Sequence, residues 1–434
     1  MDIQELDIEK AIRANVFSFC AENWDNLNDA YALAEDENID ELYELIENQD
    51  EINSLLAKTS IILLTANKYE KNMLHKSRSL SKQIKKFGIH LSAACERYTS
   101  IYGYWFETHG YSVLHIHANV TGSYTIGGSA DVARWIVTNR YLLPTAVISF
   151  GVCFGTREKT NKLGDVIISK KIYPYFVGAK VQGDELHVVD DNMFNIDDVL
   201  FNRIMDLKNN NKFKPEKLGF HVDFQNYITG EAVVSSQTER DKYVHTTTQD
   251  VYAGEMEGYG VFKECKVWGI PCLVLKSICD WGTEKNFDAT DKQIIDEFKT
   301  EMKQNVGMLD DATLAMYLSS LKDRIQAYAA GCAANTLDII LDNHVFAQSV
   351  LDNVRPKIRA FNGAATTCGY FRDVTIDIAK SLGLTLKPTC AFLHKCIKAL
   401  QEEGLAHCEA QCILDDSMES SCTWDASVDV VKGN

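Results

Sequence analysis

No stretch of this 434-residue chain approaches the roughly 20 consecutive apolar residues of a membrane-spanning helix. The N-terminus, MDIQELDIEK, also lacks the basic and apolar regions of a secretion signal. The expectation is a cytoplasmic protein with no membrane partner. A Cys-x-x-Cys pair is missing too. The 13 cysteines are scattered through core-like segments, as at Cys153, Cys272 and Cys332, and read as reduced, buried small apolar residues. Six of them (Cys368, Cys390, Cys396, Cys408, Cys412 and Cys422) crowd the last part, near His394 and His407. Their spacing is too irregular for a standard zinc framework, so no metal and no cofactor are expected. The sequence has no internal repeat and no low-complexity tract.

Charge is unevenly spread within a net of −17. Residues 1–58 hold 16 acidic against three basic residues, a net of −13, whereas residues 355–398 hold eight basic against two acidic, a net of +6. Length and asymmetry together predict two or three modules. The first 58 residues read as an acidic helical arm, with Leu42, Leu45, Ile46, Ile52, Leu55 and Leu56 at helix-compatible spacing. An α/β body follows over 59–345. Ser60–Thr65, Ser112–His117, Thr145–Phe150, Asp165–Ser169, Glu231–Ser235 and Cys272–Lys276 read as strands, and Ala130–Val137 as a crossover helix. Strands apolar throughout and separated by helices predict a mostly parallel or mixed sheet sandwiched by helices. Residues 288–320 read as a helical insertion and Asp323–Leu341 as the last helix on the sheet. Residues 346–434 look separate. Val374–Gly383 and Thr389–Leu405 have the apolar pattern of a winged helix-turn-helix, a module that would take a nucleic acid or a regulatory protein as partner.

The densest chemistry lies in residues 251–282. Gly254–Glu257 opens a helix, and the apolar run Ile270–Leu275 leads to Lys276-Ser-Ile-Cys-Asp280-Trp-Gly. Glu257 and Asp280 therefore sit at a helix start and just beyond a buried strand's carboxyl end, where open α/β sheets hold ligands. Four collinear segments carry a resemblance. Thr65–Glu70 follows the first strand, Phe150–Gly155 leads to Leu163–Ser169, and Glu255–Glu257 and Ser277–Asp280 complete the set. On these motifs residues 59–341 resemble the purine nucleoside phosphorylase and methylthioadenosine/S-adenosylhomocysteine nucleosidase superfamily, whose members are oligomers that act on nucleosides.

The resemblance implies specific roles. Asp280 matches the acid that protonates N7 of a purine, without which the base is a poor leaving group; a positioned acid contributes about 10²–10⁴-fold. The residue-level alternative is a carboxylate capping the Asp-Trp-Gly turn. Glu257 and Met256 match the ribose-binding pair, the carboxylate accepting the 2′- and 3′-hydroxyls and the thioether flooring the sugar. For Glu257 the alternative is an acid favoured by the helix dipole, the reading adopted for Glu255. Glu70 falls at the spacing of the nucleosidases' general base; otherwise it is a solvated helix residue beside Lys71. Val152, Cys153, Phe154 and Cys279 fall at pocket-lining positions, with Tyr227 and Trp281 as further candidates to stack on the base.

Two departures bear on the nucleophile. The glycine turn reads Gly151-Val152-Cys153 where phosphorylases carry a phosphate-holding hydroxyl, and the Ala66–Tyr69 loop lacks the glycine-plus-arginine clamp. Both favour water over phosphate. The loop 155–162 is basic, and Arg157, Lys159 and Lys162 are candidates to grip 5′ phosphates, with backbone N–H groups of the glycine-rich loop 121–129 assisting; a solvated basic loop is the alternative. This pattern resembles phosphorylase-like effectors of bacterial antiviral systems, some of which remove adenine from nucleotides including ATP. The expectation is hydrolysis of the N-glycosidic bond of a purine, adenine first, in a nucleoside or nucleotide. A phosphate-dependent phosphorylase and a ligand-sensing DNA-binding regulator are the alternatives.

Overall fold

Ile61–Thr65 (IILLT) is buried at every position, and its alternate residues enter two different cores. Ile62 and Leu64 face one and Ile61 and Leu63 the other, as a strand covered on both faces requires. The computed structural model describes residues 3–346, apart from 36–42, 77–82, 92–98, 119, 124–125, 140, 158–159, 176–179, 183–184, 188–192, 232, 235, 246–249, 268–269, 284–290 and 308. Beyond residue 346 it describes only 365–367, 407–408 and 427–429.

In chain order the first elements are α1 (Ile3–Glu22), α2 (Trp24–Ala34), β1 (Glu44–Leu45), α3 (Gln49–Lys58), β2 (Ile61–Thr65) and α4 (Lys68–Lys76). Next come β3 (Lys85–Leu91), β4 (Thr99–Thr108), β5 (Tyr111–His117), α5 (Ser129–Thr138), β6 (Ala146–Gly155) and β7 (Val166–Pro174). The middle holds β8 (Lys180–Gln182), β9 (Glu185–His187), β10 (Phe194–Asn195), α6 (Asp198–Asn209), α7 (Pro215–Leu218), β11 (Val222–Thr229) and α8 (Gln237–His245). The last large elements are β12 (Ala253–Glu255), α9 (Gly258–Val267), β13 (Cys272–Asp280), α10 (Lys292–Asn305), α11 (Asp311–Ser319) and α12 (Leu321–Asp342).

Eleven strands form one mixed sheet in the order β1-β3-β4-β5-β2-β6-β12-β11-β7-β10, with β13 paired to both β6 and β7. Its centre, β5-β2-β6-β13, is parallel. The carboxyl ends of β2, β6 and β13 therefore meet on one edge. Helices α5 and α9 pack on one face, while α6 and much of α12 cover the other; α1 and α10 pack on each other beside them. The small residues of α12 (Ala329, Ala330, Ala333, Ala334) let it lie close across β13 and α4.

Several expectations are corrected. The strand placed at Glu231–Ser235 is instead β11, whose polar Asp223, Gln225 and Asn226 hide it; Val233 of the short apolar run is 59% exposed. The antiparallel β3 and β4 add a mixed flank. Residues 43–56 do not make one helix. Asn48 caps α3 by accepting from Asp50 and Glu51 N–H, and Leu45 lies exposed in β1. Within the acidic first 58 residues, α1 packs on α10 and α2 on α4 and α12. The helices expected within 288–320 are α10 and α11. The winged-helix pair at 374–405 and most of the cysteine-rich tail lie outside the described residues. Three short strands, β14 (Ala365–Thr367), β15 (His407–Cys408) and β16 (Ser427–Asp429), form a small antiparallel sheet there. No helix among the described residues is long and apolar enough to cross a membrane.

Phe17 of α1 and Phe298 of α10 are both buried, with ring centroids 4.9 Å apart. Phe298→Ala should cost about 3–5 kcal/mol of stability. Urea unfolding checks it, as a lower midpoint at constant m; a loss below about 1 kcal/mol would contradict this packing.

Candidate active site

Each element end contributes one part of the site. At the end of β2 the chain turns into α4 through a reciprocal cap: Asn67 Oδ1 accepts the Glu70 N–H at 2.9 Å, and Glu70 Oε2 accepts the Asn67 N–H at 3.1 Å. Glu70 Oε2 also accepts the Ala66 N–H at 2.8 Å, and its Oε1 accepts Val152 N–H at 2.9 Å. The side chain is therefore pinned across Gly151, a residue within β6, and is only 2% exposed. A Cβ on Gly151, whose φ is +150°, would lie 2.0 Å from Glu70 Oε1, so only glycine fits beneath this carboxylate.

The end of β12 and the start of α9 supply the second part. Glu255 is the helix cap, its Oε2 accepting from Glu257 and Gly258 N–H at 2.9 and 2.7 Å. Glu257 Oε1 accepts the Gly122 N–H at 3.0 Å, and its Oε2 accepts Lys276 Nζ at 2.5 Å. Lys276 also lies 3.2 Å from Glu255 and is 2% exposed. It stands opposite Gly151 in the β13–β6 ladder and so next to Glu70. A small enclosed cavity beneath the group is lined by Thr65, Ala66, Ser129, Ser149, Glu257 and Lys276, among others.

These charges set one another's protonation. Burial lifts Glu70, and Glu257 adds to the lift. Lys276 and the backbone N–H groups oppose it, leaving the carboxyl at about 7. Burial also pushes Glu257 up, but Lys276 and the bonds from Gly122 and Met256 outweigh it, and Glu257 lies below its ordinary value. Burial alone would lower Lys276; Glu257, Glu255 and Glu70 reverse that and hold it protonated.

Asp280 supplies the third part. The β13–β6 register slips between Ile278 and Asp280, a bulge that re-aims the strand's last residue. Asp280 is partly exposed, and its Oδ1 accepts the Gly282 N–H at 2.7 Å, the turn cap that sequence offered as the alternative. Gly282 has φ +69°, a left-handed conformation suited to glycine. Cys279 Sγ lies 3.4 Å from Asp280 Oδ2.

Glu70, Val152, Glu257, Met256, Cys279 and Asp280 thus come to one sheet edge. Met256 is partly exposed at the mouth, its carbonyl taking the Ser123 hydroxyl at 2.9 Å. Cys153 is buried, and burial pushes its thiol well up, which keeps it protonated and unsuited to act as a nucleophile. Phe154 is buried against Tyr173, Tyr175 and Val251, and Trp281 is 4% exposed. Tyr227 is wholly buried, its hydroxyl donating to Ile167 O at 2.7 Å, so it packs the core and does not stack on a base. The basic loop is less available than its composition implies. Arg157 donates to Asp250 at 2.8 Å and lies over the Tyr252 ring; Lys162 is exposed, and Lys159 lies outside the described residues. In the loop 121–129, the N–H groups of Gly122, Ser123 and Gly127 go to Glu257, Glu231 and Asp131. Among the described residues no cluster could hold a metal ion.

Sequence reasoning passed over two buried cations. Lys276 sat in full view as a lysine within an otherwise apolar strand. Arg240, 3% exposed, donates to Trp281 O at 3.0 Å behind Asp280; its α8 shows no apolar pattern to mark it.

The profile of the phosphorylase superfamily matches residues 101–315. The chain is similar to the ATP nucleosidase Cap17 of Escherichia coli (strain KTE188), with 26% identity over 272 residues, 57% of this chain and 50% of that protein. A death domain-containing ATP nucleosidase of Amphimedon queenslandica is 28% identical over 199 residues, 40% of this chain and 36% of that protein. The chain spans about half the length, or less, of these relatives. Among solved structures, the 5′-methylthioadenosine/S-adenosylhomocysteine nucleosidase of Neisseria meningitidis, in complex with methylthio-immucillin-A, covers 66% of this chain and 99% of its own. Its sequence identity is 17% and its TM-score 0.43.

Lys276→Met would leave Glu255 and Glu257 buried with no countercharge, a loss of about 3–5 kcal/mol at neutral pH. In the native protein the lowered Glu257 contributes stability above its unfolded value, and this is lost as pH falls. The variant reverses the sign for Glu257, so its deficit should shrink from pH 8 to pH 5. Chemical unfolding at both values checks this; a deficit that grows on acidification would contradict the assignment.

Proposed function

We propose, from the match of residues 101–315 to the phosphorylase superfamily, that the chain hydrolyses the N-glycosidic bond of adenine nucleotides or nucleosides. One observation carries the reading: a carboxylate held near neutrality, a buried Glu257–Lys276 pair and a partly exposed Asp280 converge on one sheet edge. Asp280 protonates N7 while the bond from N9 to C1′ breaks and its electron pair leaves with the base. Glu257 accepts the sugar hydroxyls and, with Lys276 holding it ionised, stabilises the growing positive charge on the ring. Glu70 takes a proton from the water that attacks C1′. The products are free base and a sugar that keeps its 5′ substituent.

What supports water over phosphate is the surrounding of Gly151, which lies within β6 and not in the turn expected from sequence. The carboxylate of Glu70 already lies across it and takes the Val152 N–H, so a second anion there would be repelled. What supports adenine, and a nucleotide above a nucleoside, is similarity to two proteins named as ATP nucleosidases. Lys162, and Arg157 once released from Asp250, would serve the 5′ phosphates. Assembly as a homo-oligomer and a nucleic-acid or protein partner for residues 346–434 belong to the same proposal.

The test is to incubate the protein with adenosine, methylthioadenosine, AMP and ATP without phosphate and to follow adenine by chromatography. Adenine from AMP or ATP, with kcat lowered about 10²–10⁴-fold in Asp280→Asn, is the expected result. Release that requires added phosphate would refute hydrolysis. A second expectation concerns pH. With Glu70 titrating at about 7, kcat/KM should climb as pH rises through that value and the base ionises. A flat profile between pH 6 and 8 (a range of about one unit each side of neutrality) would remove Glu70 from the role of base.

A further inference from the structure

The helix that presents Glu70 is held from outside by residues that precede the α/β body. Ala34, at the end of α2, accepts Asn72 Nδ2 of α4 at 2.6 Å through its carbonyl. The next residue, Glu35, accepts Lys68 Nζ at 2.8 Å and the Tyr69 hydroxyl at 3.0 Å through one oxygen, Oε1. Lys68 and Tyr69 are the two positions directly before Glu70. Ala30 and Ala34 pack with Tyr69 and Met73, and Val152, whose N–H binds Glu70, packs against the same group.

A second line of contact reaches the same place from the other end of α4. The Tyr43 hydroxyl is 2.7 Å from His75 Nδ1, His75 Nε2 is 2.8 Å from His115 Nδ1, and His115 Nε2 is 2.8 Å from Thr65 Oγ1. Thr65 Oγ1 is in turn 2.9 Å from His117 Nδ1. Every member after Tyr43 is buried. Burial, with His75, His117 and Lys71 alongside, keeps His115 neutral. A neutral imidazole gives one N–H and takes one, so the row is satisfied only when its donors all run the same way. What happens at Tyr43 is thereby felt at Thr65, the residue before Ala66, whose N–H binds Glu70.

We propose that Ala34, Glu35 and Tyr43 form a clamp that positions Glu70, gripping α4 at its first turn directly and the β2–α4 turn through the buried histidine row. The inference rests on the reading of Glu70 given under Proposed function. It makes Glu35 and Tyr43 positioning residues, and it gives the acidic N-terminal segment a means of control: whatever displaces that segment loosens the proposed base without touching the substrate.

The experiment compares the full chain with its Glu35→Gln/Tyr43→Phe double variant by hydrogen–deuterium exchange and by steady-state adenine release. Asp311→Asn, which breaks an exposed ion pair with Lys299, is the control. The expected result is exchange about tenfold faster at Ala66, Asn67 and Val152 in the double variant alone. With it, kcat should fall about 10- to 100-fold while KM stays within about twofold. Unchanged exchange overturns the clamp whether or not base is released. Faster exchange with unchanged kcat overturns the positioning role. If the wild type releases no base, the reading of the active site has failed separately, and the exchange result alone decides the clamp.

Discussion

The Lys276 ammonium, buried in the middle of the sheet, is the interaction on which the site depends. Taking one ammonium and several carboxylates out of water costs several kcal/mol for each ion, and their attraction roughly offsets that cost only when the geometry is good. Here Lys276 lies within 3.2 Å of both Glu257 and Glu255, and each of those carboxylates also takes backbone N–H groups at a loop or a helix start. The surrounding strand is apolar, but an apolar residue at 276 would leave Glu255 and Glu257 buried without a countercharge. What the lysine adds is charge: it keeps Glu257 ionised and opposes, without cancelling, the burial that lifts Glu70.

The parallel centre of the sheet makes this possible. Because β2, β6 and β13 run the same way, they deliver Glu70, Gly151 and Asp280 to one edge. The antiparallel β12 brings Glu255 and Glu257 to the same edge from the opposite direction. Two local irregularities then complete the arrangement. The bulge before Asp280 turns its carboxylate, and Gly151 removes the side chain that would exclude Glu70. Arg240, anchored on the Trp281 carbonyl, holds the turn behind Asp280 in place. The N-terminal helices complete the support: α1 and α10 bury each other's phenylalanines, and α2 rests on the helix that carries Glu70.

Much of this architecture was legible in the chain. Fully apolar strands such as Ile61–Thr65 and Cys272–Leu275 announce burial on both faces, and small residues along α12 announce close packing. The acids were legible as well, because Glu70, Glu257 and Asp280 each follow a strand or open a helix. Strand β11 was hidden because Asp223, Gln225 and Asn226 interrupt its apolar pattern, whereas Glu231–Ser235 has the composition of a strand although Val233 lies exposed. Arg157 shows the converse: a basic loop reads as an anion grip, yet an aspartate 93 residues away in the sequence already occupies its guanidinium.

By itself the sequence determined the α/β class, the buried strands and the acidic residues at their ends, since periodicity and strand-end position are local properties. Only the tertiary structure decided which charges meet. Lys276 lies 19 residues from Glu257, and Glu70 lies 82 residues from the Val152 N–H that pins it. A pairing set by sheet order leaves no local pattern. The protonation of Glu70 belongs to the same class, because it follows from burial and from neighbours that only the fold brings together.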